Sequence, residues 1–296
     1  MSVTLGVNHM FLYPASVTDE AAHTQSLAEL VNTPLVDALD VWVWRTPSRA
    51  AEEIAILRAS GKTINYNIGD RAGEQRFAPA SRDKAERDFA YGMMMREIGF
   101  ALKAGAKKIV FASGPDDPAD REGAKERLFG FVMRVLAELP QDVTLCLEPT
   151  DRDIDKRFLF GPLDETAAFI EDVRRAGFAN IGLLLDMCHV PLMHETLKSA
   201  VAKSAGTLRH VHLGNAVVKD PKSPFYGDKH VPWSYPGSEY TETDGVQFLR
   251  LIEKTGYFAR PDATVSFEMR PYNGLSAEET LAKFVAVWRT AVGETA

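Results

Sequence analysis

Cysteine is nearly absent: Cys146 and Cys188 are the only two in 296 residues. The fold therefore cannot rest on a disulfide framework, and both thiols sit in strand-like apolar runs, where a reduced cysteine behaves as a small core residue. Long hydrophobic runs are missing too. No stretch approaches the ~20 apolar residues that a membrane span needs. The start, Met1-Ser-Val-Thr-Leu-Gly, has neither a basic region nor a cleavable apolar segment, so a cytoplasmic location is expected. Positive charge is scarce: 34 Lys and Arg stand against 41 Asp and Glu, a net charge of −7, which argues against a nucleic-acid surface. Repeats, low-complexity tracts and flexible linkers are lacking, and no Gly-rich phosphate turn follows an early strand.

What remains is a regular alternation. Strand-like segments read near Val3–Phe11, Ala38–Trp44, Thr63–Ile68, Lys108–Ala112, Val143–Glu148, Ile181–Asp186, Leu208–Leu213 and Ala263–Glu268. Helical patterns fill the intervals near Asp19–Val31, Arg49–Ser60, Ser81–Ala104, Asp120–Leu139, Leu163–Ala176, Glu195–Ala205 and Asp244–Thr255, and Ser276–Val292 closes the chain. Strands apolar on both faces, each followed by a helix, indicate a parallel sheet covered by helices. Closure into a single (β/α)8 TIM barrel spanning residues 1–296 is the simplest solution, and such barrels carry their sites at the C-terminal strand ends. An open doubly wound sheet is the alternative. Two long loops, from Gly69 to Pro79 and from Asn215 to Thr243, have the length of site walls or lids.

Four of the strand-like runs end on metal-seeking side chains: Leu-Cys-Leu-Glu148, Leu-Leu-Leu-Asp186, His210-Val-His212 and Val-Ser-Phe-Glu268. Strand ends of a closed barrel converge, and three buried carboxylates brought together call for a cation. Glu148, Asp186, His212 and Glu268 form an oxygen-rich set suited to one divalent ion, Mn²⁺ or Mg²⁺ first, with Co²⁺ or Zn²⁺ as alternatives. His210, two residues earlier on the strand, reads as a hydrogen-bonded core residue one layer deeper. His189, three residues past Asp186, is assigned a substrate or proton-transfer role. Arg270 either binds a substrate hydroxyl or balances the carboxylates. Asp228 and His230 in the long loop either serve the site or anchor the loop. Trp233 is the preferred stacking residue for a sugar ring, whereas Trp42, Trp44, Tyr66 and Phe111 are assigned to the core.

These motifs resemble the xylose isomerase-like barrel superfamily, especially sugar isomerases and epimerases similar to tagatose 3-epimerase and hydroxypyruvate isomerase. The resemblance covers the whole chain as architecture and the last four strand ends as motifs. It implies that Glu148, Asp186, His212 and Glu268 bind the metal, that Glu148 and Glu268 are catalytic with His189, and that His189 touches substrate. The chain departs from the epimerases at Ile154, where they place a second glutamate; Asp151, Asp153 and Asp155 flank that position, and Asp151 is the substrate-binding candidate among them. The stretch from His212-Leu-Gly-Asn to Gly227-Asp-Lys-His230 is also similar to large subunits of C-glycoside deglycosidases, which work with a small partner chain. Endonucleases for abasic DNA in the same superfamily share Asp228-x-His230. They use three zinc ions and further early histidines, whereas only His9 and His23 occur early here.

The expected activity is proton transfer beside the carbonyl of a keto-sugar or related polyol, through an enediolate, by a metal-dependent isomerase or epimerase. Cleavage or dehydration of a 3-oxo-sugar or its glycoside by a lyase is the first alternative, and a non-catalytic sugar-binding barrel the second. A small carbohydrate substrate and a homo-oligomer are expected, with a small partner subunit as a further expectation and no nucleic-acid or membrane partner.

Overall fold

The computed structural model describes residues 3–68 and 77–293. Eight parallel strands close in sequence order: β1 Thr4–Asn8, β2 Ala38–Val41, β3 Thr63–Asn67, β4 Lys108–Ala112, β5 Thr144–Glu148, β6 Ile181–Asp186, β7 Leu208–Leu213 and β8 Thr264–Phe267. The helices that cover them outside are α2 Glu20–Leu30, α3 Pro47–Ala59, α4 Lys84–Ala104, α5 Arg121–Glu138, α6 Leu163–Arg175, α8 Leu197–Ser204, α9 Glu242–Lys254 and α10 Ala277–Val292. Two single-turn helices, α1 His9–Leu12 and α7 His189–Leu192, follow β1 and β6. This is the (β/α)8 barrel read from the alternation, and no described helix is long and apolar enough to cross a membrane. Most of the Gly69–Pro79 loop lies outside the described residues.

Local chemistry sets the element ends. α9 and α10 open on reciprocal capping boxes, Thr241 with Asp244 and Ser276 with Glu279. Helix α9 therefore starts at Glu242, two residues before the Asp244 at which the pattern begins. Helix α4 starts after Asp83 rather than at Ser81, because the Asp83 carboxylate accepts from the Ala85 N–H. The first strand stops at Asn8, short of Phe11, since the Asn8 side chain accepts from the Met10 N–H and starts α1.

The large apolar core lies between barrel and helices, while Val110, Cys146 and Leu184 form a separate small cluster. Polar residues also occupy fully buried positions on the strands: Asp40, Asn65, His210, His212 and Ser266 have no exposed surface. Side chains alternate along a strand, so His210 and His212, and likewise Thr264, Ser266 and Glu268, climb one inner wall. Register then brings the ends together, with Asp186 opposite His212 and His212 opposite Ser266, and the Glu268 N–H extending the ladder to the Leu213 carbonyl at 2.9 Å.

Candidate metal centre

At the C-terminal mouth, ligand atoms of Glu148, His212 and Glu268 lie within 4.8 Å of one another, as do those of Glu148, Asp186 and His189. All of these side chains are buried. His212 Nδ1 stands 2.5 Å from Glu268 Oε2, a close buried pair at the mouth. Asp186 Oδ2 is buried and accepts no hydrogen bond. Buried polar atoms are ordinarily satisfied. Asp186 Oδ2 and Glu268 Oε2 lie 3.9 Å and 4.0 Å from His230 Nδ1, so these oxygen donors gather with His212 at the mouth in a chemistry that suits a divalent cation.

Their remaining atoms are held firmly. Asp186 Oδ1 accepts from the Cys188 N–H at 2.8 Å. That turn fits only because residue 214 is glycine; a Cβ there would lie 2.6 Å from the Cys188 Cβ and 2.7 Å from Asp186 Oδ1. Glu268 Oε1 accepts from Asn8 Nδ2 at 2.7 Å. His212 Nε2 lies 2.9 Å from Asp40 Oδ1, which turns Nδ1 toward Glu268 at the mouth.

His189 Nε2 lies 3.3 Å from Glu148 Oε1 and 3.4 Å from Asp186 Oδ2. Burial opposes its charge, but Asp228, Glu148 and Asp186 push its pKa up to about 9. His230 donates from Nδ1 to the Glu268 carbonyl at 2.8 Å and meets Asp228 Oδ1 through Nε2 at 2.7 Å. Lys156 Nζ reaches the other Asp228 oxygen at 3.0 Å. Burial would raise the Asp186 carboxyl against the pull of His189 and His230, and it stands up to about 6. Burial disfavours charge on His212 as well, but Glu268 and Asp40 outweigh it and hold the ring well above the usual histidine range. The Cys188 thiol is pushed up by burial and donates to the Asn215 carbonyl at 3.3 Å, which suits a packed thiol.

Beside these groups is a cavity of about 130 Å³ lined in part by Phe11, Glu148, Thr150, Lys156, Phe158 and His189. Asp228, His230 and Glu268 also reach it, so both loop residues singled out in the sequence stand at the site. Thr150 Oγ1 and His189 Nδ1 are buried without partners.

Three expected contacts require correction. Trp233 is fully buried against Phe267 and Phe284, with its indole so close to Gly245 that a Cβ there would approach within 2.7 Å. It belongs to the core between β8, α9 and α10, and the aromatic lining comes from Phe11 and Phe158 instead. Phe11 lies over His230 with ring centroids 4.1 Å apart. Trp233→Ala is expected to destabilise the fold by ~3–5 kcal/mol, read by denaturant unfolding, while leaving metal binding in the remaining folded protein unchanged. Asp151 does not line the cavity: its carboxylate accepts from the N–H groups of Ile154, Asp155 and Lys156 at 2.7–2.8 Å and shapes its own loop. Arg270 donates from Nε to the Lys229 carbonyl at 2.9 Å and braces the long loop rather than lining the cavity. Asn8, Lys156, Phe11 and Asp40 were not anticipated.

A closed parallel barrel with a carboxylate and histidine cluster at its C-terminal mouth defines a TIM barrel with a candidate cation site. The profile of the xylose isomerase-like TIM barrel matches residues 43–291, and the chain belongs to that family. Among solved structures it is similar to a D-psicose 3-epimerase with D-tagatose from Clostridium cellulolyticum H10, at 18% identity and TM-score 0.66, covering 98% of this chain and 92% of that one. A 3-keto-D-glucoside 4-epimerase from E. coli is similar at 12% identity and TM-score 0.65, with coverage of 97% and 99%. A xylose isomerase-like TIM barrel protein from Mycobacterium smegmatis in complex with magnesium is similar at 19% identity and TM-score 0.61, covering 98% of each chain. No curated protein matches the sequence.

Proposed function

We propose that the chain is a divalent-metal-dependent isomerase or epimerase that moves a proton beside the carbonyl of a keto-sugar. The observation that carries this reading is the pair of ligand clusters at the barrel mouth, Glu148–His212–Glu268 and Glu148–Asp186–His189, which share Glu148. Glu148, Asp186, His212 and Glu268 would hold the ion, Mn²⁺ or Mg²⁺ by their mostly oxygen character. Bound there, the cation supplies Lewis acidity to a carbonyl and a neighbouring hydroxyl. The psicose and 3-keto-glucoside epimerases of the same fold, and the magnesium-bound relative, support the substrate class and the cofactor.

Glu268 takes the proton from the carbon beside the carbonyl, its carboxylate oriented by Asn8. His189, wedged between Glu148 and Asp186, serves the other side as proton donor. Thr150 Oγ1 and Lys156 Nζ offer hydrogen bonds to sugar hydroxyls from the cavity wall. Ile154, where the epimerases place a glutamate, packs against the apolar group of Cys188, Leu192 and Ala216. That placement favours a second reading, in which a 3-oxo-glycoside loses its substituent by elimination after the same deprotonation. Mn²⁺-loaded protein incubated in D₂O with keto-sugars and 3-oxo-glycosides should incorporate deuterium beside the carbonyl. Sugar binding with no exchange on any of them would contradict catalysis and leave a binding barrel.

Proton competition gives a further expectation. Cation binding needs Asp186 ionised and His212 Nδ1 unprotonated, but both hold protons to higher pH than usual without the ion. Mn²⁺ affinity should therefore rise from pH 5.5 to pH 8, with proton release on binding. Calorimetry in two buffers of different ionisation enthalpy reads this directly; binding without proton release would contradict it.

A further inference from the structure

Below His212 a column of buried polar groups descends the barrel. Asp40 Oδ1 lies 2.9 Å from His212 Nε2 and 2.6 Å from His210 Nε2. His210 Nδ1 lies 2.7 Å from Thr264 Oγ1, and Thr264 Oγ1 lies 2.5 Å from Lys108 Nζ. Asp40 Oδ2 accepts from the Ser266 hydroxyl and, at 3.2 Å, from Asn65 Nδ2. Every member is at most 3% exposed, so bulk water does not substitute for any of them.

The direction of the hydrogen bonds follows from the ends. A lysine ammonium only donates, so the Thr264 oxygen accepts from Lys108 and its own proton goes on to His210 Nδ1. His210 then carries its proton on Nε2 and gives it to Asp40. The reverse tautomer would donate from Nδ1 to the Thr264 carbonyl at 3.1 Å, but would set the Nε2 lone pair against a carboxylate at 2.6 Å. A carboxylate only accepts, so His212 also presents Nε2–H to Asp40. Its Nδ1 is thereby aimed at the mouth, beside Glu268 Oε2, and is the nitrogen left to a cation when the ring is neutral.

We infer that Asp40 is a positioning residue for the cation site, and that the column Lys108–Thr264–His210 beneath it fixes the ring orientation and tautomer of the ligand His212. This rests on the proposed metal reading, but its structural half is measurable without a metal. In the wild type, ring N–H signals of His210 and His212 in ¹⁵N-labelled protein should show hydrogen-bonded Nε2–H protons that exchange slowly. Asp40→Asn should remove that signal from His212 and weaken Mn²⁺ binding ~10–100-fold by calorimetry. Thr264→Val keeps the shape, leaves Asp40 and every ligand in place, and should mix the His210 tautomers while weakening Mn²⁺ binding by a smaller factor. Folded Asp40→Asn with unchanged ring signals and unchanged Mn²⁺ affinity would overturn the inference. If Asp40→Asn does not fold, Thr264→Val decides, and unchanged tautomers and affinity in it would overturn the inference equally. Wild-type protein that shows these signals but binds no Mn²⁺ would contradict the proposed function while supporting the hydrogen-bonded column.

Discussion

His189→Ala should lose ~10²–10⁴-fold of solvent-proton exchange into a keto-sugar while keeping its bound metal, the usual contribution of a general acid or base. The imidazole stands 3.3 Å from Glu148 and 3.4 Å from Asp186, at the edge of the proposed ligand set. Removing it takes away the proton donor but none of the four proposed ligands. Asp151→Asn is the informative control. Its carboxylate is committed to three backbone N–H groups of its own loop, so it should cost loop order and a modest share of exchange. An inactive Asp151→Asn beside an active His189→Ala would move the second proton-handling group to the loop after β5.

Glu148→Gln and Asp186→Asn should each abolish stoichiometric metal binding with the barrel still folded. Each change keeps size and removes one negative charge from a buried set in which a cation offsets carboxylate repulsion. Asp186 is the sharper case, because it is fully buried and its Oδ2 accepts no hydrogen bond from the protein. Metal content by mass spectrometry after dialysis reads the result, and circular dichroism confirms the fold. Wild-type metal content in both variants would remove these residues from the ligand set.

The parts of the site that were legible in the sequence share one signal, a polar residue closing an apolar run. Glu148, Asp186 and Glu268 stand out in this way because a buried strand tolerates charge only at its end. His212 could be separated from His210 because residues two apart on a strand share a face, and the higher one is nearer the mouth. Asp40 carried the same information and was overlooked. A charge inside Ala38-Leu-Asp-Val41 is costly unless paired, and Lys108 and His210 on other strands are its counterparts along the column.

Other residues were not legible because their role depends on where a loop returns. Trp233 reads as a site wall from its place in a long loop, yet the loop folds back and the missing Cβ of Gly245 admits the indole to the core. Asn8 lies 260 positions from its partner Glu268, a pairing that barrel closure between β1 and β8 creates. Lys156 follows three aspartates and looks like part of a solvated charge run, but Asp155 ties that loop to Lys229 and the Asp228 N–H and so carries Lys156 to the cavity.

The most direct test of the central claim is anomalous diffraction from crystals loaded with Mn²⁺. One peak per chain is predicted at roughly 2.1 Å from Asp186 Oδ2, His212 Nδ1, Glu268 Oε2 and a Glu148 oxygen. No peak at the barrel mouth, or a single peak among His189, Asp228 and His230 with the other four side chains unbound, would contradict it.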